Sequence, residues 1–141
     1  MTTAIENLLT QLATLEATIT GVVEAHVNPP ENLFAFPSFI NYVETGEVTS
    51  DASLQMMGLY TIVCEAHLSR AVLPEAVSLA TPLINRFEDA IYTDPTLNST
   101  VTTVNAIRLE FGTVPYGTET HLGVRFRLEV KMRRLVGATA V

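Results

Sequence analysis

Hydrophobic and polar positions alternate most regularly near the C-terminus. Leu122, Val124, Phe126, Leu128, Val130 and Met132 take turns with Gly123, Arg125, Arg127, Glu129, Lys131 and Arg133. A period of two puts the apolar set on one side of a strand and the ionic set on the other, so the pattern predicts a half-buried strand over 120–133. Residues 100–111 alternate in the same way, with Val101, Thr103, Asn105, Ile107, Leu109 and Phe111 opposed to Thr102, Val104, Ala106, Arg108 and Glu110. The segment Gly112-Thr113-Val114-Pro115-Tyr116-Gly117 between them carries turn residues at both ends and reads as a loop. The C-terminal third is therefore a β-hairpin. Residues 53–69 predict a further strand whose second face is apolar in its middle too. At about 3.4 Å per residue it would be roughly 50 Å long, against a usual strand of about five or six residues. Either a bend at Gly58 shortens it or part of it projects. The aromatic run 33–43 predicts another strand, which Pro37 restricts to an edge or an irregular entry. Glu44-Thr45-Gly46-Glu47 follows as a polar turn.

Two segments have helical spacing. Over 3–23, Ile5, Leu8, Leu9, Leu12, Leu15, Ile19, Val22 and Val23 recur every three or four residues. Thr3 and Glu6 have the spacing of a capping box. Gly21 and then Asn28-Pro29-Pro30 end the helix. Over 74–92, Pro74 suits the first helical position, and Val77, Ala80, Leu83, Ile84, Phe87, Ala90 and Ile91 supply an apolar stripe. Pro82 should kink or split this helix, because it removes a hydrogen bond to Ser78. The order is helix, strand, strand, helix, strand, strand. It predicts a single α+β domain over 1–141, with two helices on one face of a four-stranded, mainly antiparallel sheet. Leu12, Leu15, Leu83, Phe87, Ile107, Phe126 and Leu128 are the expected core between helices and sheet. Residues 135–141 read as a tail or an interface arm.

Charge is distributed unevenly. Residues 1–69 hold eight acids and no Lys or Arg, a formal −8; from residue 70 there are eight bases and seven acids, a formal +1. Five bases lie between 125 and 134, on or beside the last strand. A chain with an acidic half and a basic strand can bind copies of itself head to tail. Hydrophobic residues make up 48% of the 141 and charged residues 16%, which leaves apolar surface for partners. The net charge of −7 argues against a general nucleic-acid binder. A lone cysteine, Cys64, fits a reducing compartment and reads as a small core residue. No secretory leader is legible, and no apolar run approaches the length of a membrane span.

Motifs for chemistry are scarce. There is no phosphate-binding glycine loop, no nucleophile elbow, no HExxH and no CxxC. His67 and Cys64 are three apart, so on one strand they face opposite ways. A metal site from His67, His121 and an acid is conceivable if their strands pair; surface or sheet-face histidines are the simpler reading. Glu88-Asp89 diverge by about 100° on a helix and suit solvated surface rather than a shared acid–base site. Asn98-Ser99-Thr100 matches a glycosylation tripeptide but reads as the turn into the next strand. No catalytic residue, cofactor or metal is assigned.

The chain resembles the tail terminator proteins of long-tailed phages, of the lambda type. Three segments carry the likeness: Phe36-Pro37-Ser38-Phe39-Ile40-Asn41-Tyr42-Val43 after the first helix; Leu73-Pro74-Glu75-Ala76 through Asp94-Pro95-Thr96-Leu97; and Tyr116-Gly117 through Leu122-Gly123-Val124-Arg125-Phe126. The resemblance implies a structural virion protein at the tail–head junction, assembled from the host cytoplasm. It implies a homohexameric ring that caps the tail-tube protein, stops its polymerisation and offers a surface to the head connector. The genome would pass through without sequence-specific binding. A neck or head-completion protein of the same ring type, or a small α/β ligand-binding or enzyme domain, are the alternatives. The residues suggest a subunit interface at Arg125, Arg127, Lys131 and Arg133, with pairing to acids such as Glu110 and Glu129 as the other possibility. Contacts to the tube or connector are expected from the Glu44–Ala52 turn (Glu44, Glu47, Asp51) and from the 112–120 loop (Val114, Tyr116), with Tyr116 as an aromatic anchor.

Overall fold

A computed structural model describes residues 3–33, 35–52, 54–70 and 72–135. The chain runs α1 (Ala4–Ala17), β1 (Glu24–His26), β2 (Ser38–Ala52), β3 (Gln55–Ser69), α2 (Leu73–Thr93), β4 (Thr103–Tyr116) and β5 (Glu119–Leu135). The strands form one mixed sheet in the order β1-β2-β3-β5-β4, with β1 parallel to β2 and every other pair antiparallel. This corrects the expected four-stranded sheet. The added strand, β1, is three residues long and pairs only with Ser38–Ile40 at the start of β2. Such a short strand has no periodicity to read; it exists because the chain leaving α1 lies against β2.

Element boundaries differ from the expectation for local reasons. The capping box forms: Thr3 Oγ1 accepts from Glu6 N at 3.2 Å, and Glu6 Oε1 accepts from Thr3 N at 3.3 Å. But α1 stops at Ala17 instead of running to 23, since Thr18-Ile19-Thr20 is β-branched and Gly21 takes φ +97°. β2 runs straight through Glu44–Glu47, with an irregularity between Val43 and Thr45, and the chain reverses after Ala52 with Leu54 at φ 64°. β3 continues past Gly58. The ring of Tyr60 lies over both Gly58 and Gly46, where an added Cβ would sit 2.4 and 2.5 Å from ring carbons. Those glycines make room for a tyrosine rather than a bend. α2 passes through Pro82 unbroken, its proline exposed. The expected 112–117 loop is instead strand, and β4 and β5 turn at Gly117, φ 62°.

Both helices cover one face of the sheet. Phe39 of β2, Phe87 of α2 and Phe126 of β5 stack there with centroids 4.1 to 6.3 Å apart, all fully buried. Leu12, Leu83 and Leu128 are buried around them, while Leu15 and Ile107 pack at the margin. Cys64 is buried in the same layer.

Candidate functional site: a buried histidine pair and two open edges

The face of the sheet turned away from the helices is built from the alternate residues of the same strands. His67 stands opposite Ser38 on β2 and Gly123 on β5; His121 stands opposite Val114 on β4. Gly123 must be glycine, for a Cβ there would lie 2.1 Å from the Ala66 carbonyl oxygen. With nothing projecting between them, the two imidazoles meet, Nδ1 to Nδ1 at 2.9 Å, and both are fully buried. His67 Nε2 reaches Glu65 Oε1 at 2.8 Å, and His121 Nε2 reaches Glu119 Oε2 at 2.9 Å. The other oxygen of Glu65 accepts from Arg125 Nε at 2.9 Å and from Tyr42 Oη at 3.2 Å. Burial works to raise the Glu65 carboxyl, but hydrogen bonds from His67 and Arg125 outweigh it and hold the group below its ordinary value. Glu119 is held low by its hydrogen bond to His121, against a desolvation penalty and with help from Arg70.

The arrangement can hold and relay protons, but the rings are closed to a substrate. Among the described residues no cluster of His, Cys, Asp or Glu is arranged to hold a metal ion. The outward nitrogens of the pair already face carboxylates. A hollow of about 270 Å³ adjoins the pair, lined by Leu33, Arg70, Tyr116 and Glu119 among others. A larger one of about 360 Å³ lies beside Tyr60, Glu47 and Glu129. Neither is lined by a histidine or cysteine.

The bases of β5 turn inward on their own subunit. Arg127 grips Glu44 of β2 with two bonds, 3.0 and 3.3 Å, and Arg125 is the partner of Glu65. The pairing thus goes to Glu65 and Glu44, not to Glu110; Glu129 instead sits 3.5 Å from Arg108. Lys131 is half-buried and Arg133 exposed on the same face. Glu44 and Glu47 belong to the exposed outer half of β2, so they flank a strand and not a turn. Asp51 is near the end of β2, and its side chain lies outside the described residues. Val114 is buried at 3% exposure and cannot be a surface contact. Tyr116 is no projecting anchor either. Its ring packs on both histidines and its hydroxyl donates to the Pro30 carbonyl. Of the expected tail 135–141, Leu135 instead ends β5 and the rest lies outside the described residues.

What remains open is the backbone at two sheet edges. Among the described residues β4 pairs with no strand but β5, so its outer edge is open beyond Val104, whose N–H donates to the Pro95 carbonyl at 3.0 Å. β2 is paired on its outer side only as far as Ile40; from Val43 to Ser50 every residue is exposed. Leu109 and Phe111 add exposed apolar side chains to β4, on the side of Ile107 and the helices.

A second polar cluster sits inside the apolar layer. Asn41 Nδ2 donates to Glu16 Oε1 at 2.7 Å and to the His26 carbonyl at 2.9 Å. Glu16 is fully buried, and burial raises it to about 8 in spite of hydrogen bonds from Asn41 and Cys64. The Cys64 thiol is pushed up as well, by burial and by Glu16. The short β1 and the start of β2 lie against this part of α1. No protein-family model matches the chain, and no curated protein sequence matches it significantly.

Proposed function

We propose that this protein is a ring-forming structural subunit of a phage tail–head junction, in the manner of the tail terminators its sequence resembles. The observation that supports this best is the pair of open strand edges on opposite sides of one sheet. Unpaired edges of this length invite pairing with another chain. One edge differs from the other, so joining them is a heterologous contact, which closes into a ring when the rotation permits. β2 brings acids to its edge (Glu44, Glu47) and β4 brings Arg108 and two exposed apolar residues.

The subunit contact is therefore assigned to β2 against β4 of the next copy, with Lys131 and Arg133 on the flanking sheet face. Arg125 and Arg127 hold the subunit itself together. The ring would leave two different faces, one for the tail-tube protein and one for the head connector, around a passage for the genome. Native mass spectrometry and electron microscopy of the purified chain test the ring. Incubation with purified tail tubes tests the role. Capped tubes that no longer elongate are expected; a monomer that leaves elongation unchanged overturns the reading. An enzyme or small-ligand role finds less support, because the most chemically loaded residues are sealed from solvent.

A further inference from the structure

The histidine pair has a proton inventory that its geometry dictates. Three gaps lie in series: Glu65 to His67 Nε2 at 2.8 Å, Nδ1 to Nδ1 at 2.9 Å, and His121 Nε2 to Glu119 at 2.9 Å. Each gap is of hydrogen-bond length and needs one hydrogen. Both carboxylates are held in their ionised form by the bonds they accept, and an ionised carboxylate only accepts. Both Nε2 atoms must therefore donate. The middle gap then needs a third hydrogen, whereas two neutral imidazoles carry only two. We infer that His67 and His121 share one additional proton as an imidazole–imidazolium pair, a charged bolt between β3 and β5.

Aromatic and charged groups close over the pair. The Phe36 ring meets His121 edge-on at 5.0 Å, and Arg70 lies over Phe36 at 5.4 Å. Tyr116 meets His67 edge-on at 5.3 Å and ties to the Pro30 carbonyl. Charge is balanced from every side. β3 supplies Glu65, β5 supplies Glu119 and Arg125, and β2 supplies Tyr42 beyond Glu65. Glu31 and Arg70 stand at the adjoining hollow. Removing the shared proton would leave two lone pairs facing each other; adding another would set N–H against N–H.

With one proton shared in the folded pair, folding takes up a proton where two separate imidazoles of ordinary value, pH ~6.5, are neutral, and releases one where both are charged. Above that pH the folded state binds more protons, so its stability falls as pH rises. Below it the unfolded state binds more, so stability falls as pH falls. Each limb is worth up to about tenfold per pH unit in the unfolding equilibrium constant.

His121→Asn separates this from an ordinary neutral pair. The asparagine amide can donate to His67 Nδ1 without any additional proton. Chemical denaturation of wild type and variant should then diverge between pH ~6.5 and ~8.5. The wild-type constant should rise by up to about tenfold per unit relative to the variant. Effects of Glu16 and other groups common to both proteins cancel in that ratio. Parallel curves overturn the inference. Nitrogen-15 NMR of the histidines in the wild-type protein at pH ~7 decides the matter even if the variant does not fold. Protons on both Nε2 atoms and a strongly downfield bridging proton are expected; a bare Nε2 on either ring overturns it.

Discussion

The two faces of the sheet are made by the same strands but hold together by different physics. On the helix side, Phe39, Phe87 and Phe126 stack in an apolar layer that also holds the polar pair Glu16 and Asn41. On the other side, a loop segment replaces the helices, and buried Ile40, Val63 and Val114 share the layer with two buried histidines and a glutamate, beside the half-buried Arg125. The first face draws its stability mainly from area removed from water, which needs no ion pairing, and takes a pH dependence from Glu16. The second depends on charges that must be paired and on protons that must be in place. One strand, β5, carries both. Its even-numbered residues serve the core and its odd-numbered residues serve the charges.

Four substitutions would break or sharpen this contrast. Phe126→Ala should have the largest effect, a loss of about 3–5 kcal/mol on chemical denaturation, equal in low and high salt. A loss below about 1 kcal/mol would mean the stack contributes little. Glu16→Gln comes next and shows itself in pH. In the wild type, Glu16 is raised from 4.5 to about 8 in the folded state. Its contribution is therefore fully present below pH 4.5 and is lost as pH rises through about 8. The amide variant should not show that loss, so its stability relative to wild type should improve across this window, by up to about tenfold per unit. A constant difference between the two proteins would refute the buried, protonated glutamate.

On the other face, Glu65→Gln should destabilise by about 2 kcal/mol, because an NH2 replaces one of the two oxygens that accept from Arg125 and His67, and the charge opposite the guanidinium is lost. The loss stays below that of a sealed ion pair since the Arg125 side chain is 22% exposed. The same measurement in high salt should give a smaller loss, in contrast to Phe126→Ala. Arg127→Ala is expected to matter least, by under about 1 kcal/mol, since its pair with Glu44 is a third exposed on each side. An effect of several kcal/mol would show that the pair also anchors a neighbouring subunit.

Much of this architecture was legible in the alternation. The apolar sets of β3 and β5 lie on the helix face as period two requires, and Ala80, Leu83, Phe87 and Ile91 of the α2 stripe are buried, while Val77 is exposed and Ala76 is buried in the first turn instead. Strands that lack alternation escaped. β1 has one apolar residue, Ala25, and the outer half of β2 is solvent-exposed throughout, so neither has an inside to advertise. They are held by backbone pairing and by side-chain ties such as Arg127 to Glu44 and Asn41 to the His26 carbonyl, all of them matters of tertiary neighbours. The histidine pair escaped for a related reason. His67 and His121 are 54 residues apart, and only the register across Gly123 brings their rings together. Tyr116 looked like a loop tip between two glycines; the strand extends two residues past Val114 and turns the ring inward.

The open edges of β2 and β4 also differ in direction. Adjacent strands in a sheet rotate by roughly 20–25° relative to one another, so three steps from β2 through β3 and β5 to β4 amount to about 60–75°. A second copy that added its β2 to β4 would begin at that angle and carry the rotation onward. Successive copies cannot then lie as one flat ribbon; each is turned against the last by its own internal twist. The handedness of the L-amino acid backbone would thus set the curvature of any assembly made along these edges.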